Sequence, residues 1–247
     1  INSMSAKEYR KPTLILDNLI SYKILIIFSM VYMSIMICNA VLTNKYIGSD
    51  KFFILGGTLT SPFIFILDDI VAEIYGYKIT RCMILSGFAA QTLFTLICQI
   101  VILAPSPSFF KAQTAYAHIL GLSLLRINFS GFIAYISANL INSYILTQWK
   151  ILLKGKKFWL RSLGSSAFSE IIYSGIAILF MEIHTIPLKT VLKIIGLSYL
   201  IKITYSIAFA GPAQVLVTYI KKRTGIDVYD LPKKFTPFEY LNQEKNI

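Results

Sequence analysis

Six ionisable side chains sit inside runs that are otherwise apolar: Asp68, Asp69, Glu73, Arg126, Glu170 and Lys202. A charge at the centre of a membrane helix costs about 2.5–3.5 kcal/mol on insertion scales, so such residues persist where they pair, face water or serve a ligand. On a helix, Asp69 and Glu73 are four apart and share a face, whereas Asp68 points ~100° away from Asp69. Glu73 stands just before Gly76 and Lys78, near enough to a helix end for its side chain to reach the interface. Glu170 shares a face with Ser166 and Tyr173, Arg126 with Ser130, and Lys202 with Tyr199 and Ser206. Four acids and two bases in one bundle can form either helix–helix ion pairs or a polar site for a ligand. The run from 118 to 147 adds Asn128, Ser130, Tyr135, Ser137, Asn139, Asn142 and Ser143, too many polar side chains for a helix that faces only lipid. Tyrosine and phenylalanine rings in a polar cavity suit a flat aromatic ligand through offset stacking.

Other chemistries lack their residues. The sequence has no phosphate-binding Gly-rich loop, no dinucleotide fingerprint and no nucleophile elbow. His118 and His184 have no Cys or carboxylate at metal-ligand spacing, so no metal is expected. Ser165 and Ser166 have no nearby His, and adjacent Asp68 and Asp69 diverge on a helix. The expectation is a protein that is not an enzyme and carries no cofactor.

The elements that must position these residues follow from composition. The 247 residues are 55% hydrophobic and 15% charged, with a mean hydropathy of +0.64. Soluble domains run near 25% charged, so a soluble enzyme and a disordered chain are both excluded. About 20 apolar residues cross a bilayer as a helix, and six segments qualify: 24–43, 53–75, 82–104, 118–147, 162–182 and 190–219. With the N-terminus in the cytoplasm, seventeen Lys and Arg fall on the inner side and five on the outer, which places both termini inside. The expected architecture is an all-α integral membrane protein of six transmembrane helices. One transmembrane domain fills 1–247, with 1–22 a cytoplasmic N-terminal segment and 224–247 a cytoplasmic tail. The net charge of +12 then reflects topology and contact with anionic lipid, not nucleic acid. Cys38, Cys82 and Cys98 lie in apolar runs, where no disulfide framework is expected. The second segment contains Gly56, Gly57 and Pro62, and the fifth contains Gly164, Ser165, Ser166 and Ser169. Interrupted helices at matching places suggest two inverted three-helix halves around a transport site.

The stretch Ser61-Pro-Phe-Ile-Phe-Ile-Leu-Asp-Asp-Ile-Val-Ala-Glu-Ile-Tyr-Gly76 resembles the signature of the queuosine precursor transporter family, also called the vitamin uptake transporter family. Asp69, Glu73 and Gly76 match its Asp, Glu, Gly spacing. Arg126, Ser130, Ala134 and Tyr135 resemble its fourth-helix pattern, Trp159-Leu-Arg161 with Gly164-Ser165 the start of its fifth helix, and Lys202 a lysine in its sixth. Asp227 to Asp230 and Thr236-Pro-Phe238 resemble its tail. The chain departs from the pattern at three positions: Glu170 stands where Gln or Asn is usual, and Tyr173 where Asp is usual. Asn142 occupies a position that is often acidic.

The resemblance implies a secondary transporter that imports a 7-deazaguanine precursor of queuosine (queuine, preQ1 or preQ0) across the bacterial inner membrane. Such a base presents N1–H and an exocyclic amine side by side, two donors for one carboxylate, a role that suits Glu170. Its carbonyl needs a donor, either Asn142 or Lys202, and its ring a stacking partner, either Tyr135 or Tyr173. Asp69 would meet an amine-bearing precursor, and Arg126 completes the expected substrate-binding set. Asp68, Glu73, Ser130, Ser165 and Asn139 form the expected supporting network. The expected partners are the small-molecule substrate and the lipid bilayer, with a homodimer left open. The competing reading is a substrate-binding membrane subunit of an ATP-driven vitamin uptake system.

Overall fold

The computed structural model describes residues 12–153, 157–182 and 185–228. His184, the tail motif beyond Val228 and the first eleven residues lie outside the described residues, as does the side chain of Ser143. The described chain is mostly helical: α1 Pro12–Leu42, α2 Ser61–Tyr75, α3 Tyr77–Leu103, α4 Gln113–Leu120, α5 Leu122–Leu152, α6 Phe158–Glu182 and α7 Leu188–Thr224. Five stretches are long and apolar enough to cross a bilayer: Leu19–Leu42, Tyr77–Leu103, Gln113–Asn139, Phe158–Glu182 and Leu188–Thr224. The protein is therefore a multi-pass membrane protein.

The second apolar segment departs from the expected helix over 53–75. Its first part pairs as a hairpin of β1 (Tyr46–Ser49) and β2 (Phe52–Leu55), in the register Tyr46↔Leu55 to Ser49↔Phe52. A 3-10 turn over Gly56–Leu59 follows, and the α-helix begins only at Ser61, with Pro62 in its first turn. Proline there loses no helical hydrogen bond, because the first N–H groups have no partner in any case. Gly76 ends α2 with φ of 83°, a conformation that side chains with a Cβ rarely adopt, and this lets α3 start one residue later. At 15 residues, α2 is shorter than a full bilayer crossing.

The fifth segment also departs from expectation, in the opposite sense. Gly164, Ser165, Ser166 and Ser169 do not interrupt it, and α6 runs unbroken from Phe158 to Glu182. Gly164 instead lets α6 approach α5 closely, since a Cβ there would run into the ring of Trp149. The interruption is thus confined to one of the two expected halves.

Packing divides the interior. One apolar cluster joins Tyr32 and Met36 of α1, Phe65 of α2 and Met83 and Phe88 of α3. Another joins Leu124 and Ile127 of α5, Ala177 and Met181 of α6 and Ile194 of α7. A third fastens Ile70 and Ile74 of α2 to Val217 and Ile220 of α7. Apolar side chains also cover the outside: Ile26, Met30, Leu93, Ile100, Leu200 and Val215 are each more than half exposed. Facing water, a patch of this size would drive association; facing lipid, it is solvated.

Candidate substrate site

Short α2 carries acids into the middle of the bundle. Asp68, Asp69 and Glu73 are each no more than 2% exposed. Asp69 is held from two other helices. The Asn142 amide of α5 donates to its Oδ1 at 2.9 Å, and the Ser162 and Ser166 hydroxyls of α6 donate to its Oδ2, the latter at 3.1 Å. Ser169 donates a 3.4 Å bond to the Asn142 side-chain oxygen Oδ1. Residues 162, 166, 169, 170 and 173 form a stripe at helical spacing, so one face of α6 presents three serines, Glu170 and Tyr173.

Glu170 lies one turn beyond Ser166 and is completely buried. Its Oε1 accepts a 3.4 Å bond from Ser206 of α7, and its Oε2 is buried with no donor among the described residues. Lys202, one turn before Ser206, donates to Ser174 at 2.8 Å, and its Nζ sits 4.6 Å from the centre of the Tyr173 ring. Among the described residues no ion pair joins Glu170 to Lys202 or to Arg126. Tyr173 meets Phe65 edge-on at 5.3 Å. Tyr135 lies against Phe65 at 5.6 Å, touches Phe88, and accepts a 3.5 Å bond from Tyr32. A cavity of about 30 Å³ opens beside Lys202, Tyr173 and Ser174, bounded also by Asn39, Thr58 and Ser61. The Ser61 hydroxyl is buried there without a partner among the described residues.

Of the expected substrate-binding set, Asp69, Asn142, Glu170, Tyr173, Lys202 and Tyr135 lie in this buried polar and aromatic layer. Arg126 does not. It is exposed and donates to Thr185 at 3.3 Å. It lines a separate cavity of about 180 Å³ with Thr43, Tyr46, His118 and Glu182. Tyr46 donates to Glu182 there at 2.8 Å.

The supporting residues divide in the same way. Ser130 and Ser165 bond to carbonyls of their own helices, Arg126 O at 2.7 Å and Ser162 O at 3.2 Å. Asn139 borders a second cavity of about 30 Å³ together with Asp68, Asp69, Thr80, Asn142 and Lys150.

Glu73 is buried among bases from three other helices. Arg161 grips it with two bonds of 3.0 Å, and Lys221 donates to it at 2.6 Å. Lys150 stands 3.8 Å away and, with Lys221, also holds Asp227. All three bases belong to the seventeen that the charge split places on the inner side. The available signal was Arg161 itself, one helical turn before Ser165 and two before Ser169 on one face of α6. The other missed residues, Ser162 and Ser174, are polar positions on α6 that only acquire partners through packing.

The layer therefore offers a flat ligand three groups: a carboxylate oxygen with no donor, an ammonium donor and an aromatic ring. Among the described residues no group of three His, Cys, Asp or Glu could hold a metal.

Residues 55–217 match the protein family described as "putative vitamin uptake transporter". The chain is also similar to a Bacillus subtilis (strain 168) protein named "probable queuosine precursor transporter", with 30% identity over 147 residues. That match covers 58% of this chain and 63% of the relative, so the chain spans less than two thirds of the relative's length. No solved structure matches the chain. The family match begins at Leu55, the last residue of the hairpin, and takes in α2 with its three acids and the helix segments that bring Asn142, Glu170 and Lys202 to them; the chain belongs to the vitamin uptake transporter family.

Proposed function

We propose that the protein is a secondary carrier, not an enzyme, that imports a 7-deazaguanine precursor of queuosine across a bacterial inner membrane. In this reading six segments cross the membrane, with α2 and the hairpin as the second, and both termini face the cytoplasm. The seventeen-to-five split of basic residues supports that orientation.

The observation that carries the reading is Glu170. Its Oε2 is buried without a donor, and its Oε1 has only a long bond from Ser206. A buried acceptor left unpaired is costly, and a ligand with two adjacent N–H donors supplies what is missing. Lys202 is the donor for the base carbonyl, since it borders the cavity beside Tyr173 and Asn142 does not. Tyr173 borders the cavity and is the stacking partner, since Tyr135 is enclosed by Phe65 and Phe88. The cavity holds only a water-sized volume, so substrate entry requires the bundle to open.

The test is a thermal-shift panel of deazaguanines, purines and vitamins on the purified protein. A ligand that binds the folded state raises its melting temperature by mass action. Stabilisation by deazaguanines bearing the exocyclic amine, and not by unrelated vitamins, is expected. Stabilisation by a vitamin alone would overturn the substrate assignment.

A further inference from the structure

The two neighbouring acids of α2 are treated very differently by their surroundings. Asp69 receives three hydrogen bonds, from Asn142, Ser162 and Ser166. Asp68 is 2% exposed, and both of its carboxylate oxygens lack any donor among the described residues. A charged carboxylate in that position would have neither a cation nor a hydrogen bond to offset its lost hydration. A protonated one is neutral and carries no such cost.

The groups facing Asp68 do not change this. On its own helix stand Asp69 and Glu73, both acids. Tyr32 of α1 lies within electrostatic reach of it. Tyr77 of α3 and Lys150 of α5 border the same cavity. Lys150 is turned to Asp227 and the Val228 carbonyl, while Arg161 of α6 and Lys221 of α7 are held on Glu73. A metal cation is a poorer occupant than a proton. The cavity has room for little beyond one water. A hard cation would need about six oxygen ligands.

We propose that Asp68 is the proton-binding site that couples transport to the proton gradient, an inference that rests on the carrier reading above. The Asp68 carboxylate takes one proton from water on the outer side, crosses the conformational change as a neutral acid, and releases that proton to water through the cavity bordered by Lys150. One proton enters per cycle, and no other group changes its covalent state. Asp69 stays bonded to α5 and α6 throughout, so the two acids divide the work of coupling and of holding the helices around the site.

The test uses the full chain in proteoliposomes with radiolabelled queuine or preQ1. Two reactions are followed: exchange of internal for external substrate, which needs no driving ion, and accumulation driven by an inward proton gradient. Wild type should perform both. Asp68→Asn, a neutral isostere, should keep exchange within about threefold and lose gradient-driven accumulation. Infrared difference spectra across pH should show a protonated-carboxyl carbonyl band in wild type that Asp68→Asn lacks, with or without substrate. If Asp68→Asn still accumulates on a proton gradient, if it loses exchange although it retains the wild-type melting temperature, or if wild type accumulates only on a sodium gradient, the proposal is overturned. The absence of the carboxyl band from wild type would overturn it too. Failure of wild type to exchange any deazaguanine would instead count against the carrier reading, and the infrared band would still decide the state of Asp68.

Discussion

Arg161 and Glu73 meet fork to fork, 88 positions apart in sequence, through two hydrogen bonds of 3.0 Å, with both side chains essentially inaccessible to solvent. The pair fastens the foot of α6 to the end of α2, and Lys221 brings α7 to the same carboxylate. A bidentate guanidinium–carboxylate contact is the strongest form such a pair takes. It stands about one helical turn from Asp69, so whatever fixes Glu73 also fixes the acid in the candidate site.

Removing one partner of this pair should be costly. Arg161→Ala leaves Glu73 buried with Lys221 as its main counter-charge, and the expected loss is about 3 kcal/mol, near the lower end for breaking a buried pair. Thermal melting in detergent would register it. The double variant Glu73→Gln with Arg161→Met should recover much of the loss, because neither charge is then stranded. If the double variant is less stable than Arg161→Ala, the pair is not the source of the effect.

Asp69 binds α2 to α5 and α6 and faces the same cavity as Asp68. Asp69→Asn should cut uptake of the deazaguanine at least tenfold while the protein still reaches the membrane, because the amide presents an NH₂ group to the Asn142 donor. Uptake assays paired with membrane immunoblots check this. Wild-type uptake by the variant would remove Asp69 from the site.

Glu170→Gln tests recognition of the base. Hydrogen bonds to charged groups contribute roughly 1.5–3 kcal/mol, so affinity should fall on the order of tenfold to a hundredfold. An analogue without the exocyclic amine should bind wild type poorly, and the gap between analogue and parent should narrow in the Gln variant. Equal gaps in the two proteins would show that Glu170 does not read that edge of the ring.

Gly57, in the 3-10 turn, lies against α1 where a Cβ would strike the Thr43 hydroxyl and the Asn39 amide. Asn39 also accepts a 2.7 Å bond from Thr60 at the start of α2. Gly57→Ala should therefore displace this contact and cost about 1–3 kcal/mol, as overpacking does. A melting temperature equal to wild type would mean that the turn shifts freely.

Orientation can be read by impermeant thiol labelling. In a background without Cys38, Cys82 and Cys98, Phe109→Cys between α3 and α4 should label from outside the cell, and Lys157→Cys before α6 should not. Both positions are exposed, so access to reagent is not limiting. The reverse pattern would invert the assigned topology.

The sequence by itself determined the membrane character, five of the candidate crossing segments to within eight residues at either end, and most of the buried polar residues that mark the interior. Those features are local: apolar run length sets a crossing, and an isolated acid in such a run stands out whatever it packs against. The end of α2 before Gly76 was likewise legible, whereas Pro62 stood out only as an irregularity inside the expected 53–75 helix and not as its start. The hairpin at Tyr46–Leu55 was not legible, since Phe52-Phe-Ile-Leu55 is as apolar as any helical run and only pairing with β1 makes it a strand. Nor was the place of Arg161, Lys150 and Lys221, whose charges count only toward the inner side until α5, α6 and α7 bring them to Glu73. Arg126 shows the converse, an apparent member of the core that the start of α5 leaves at the rim beside Thr185. Helical spacing states which residues share a face, but the tertiary structure alone decides which face meets which. That choice gives Asp69 three donors and Asp68 none.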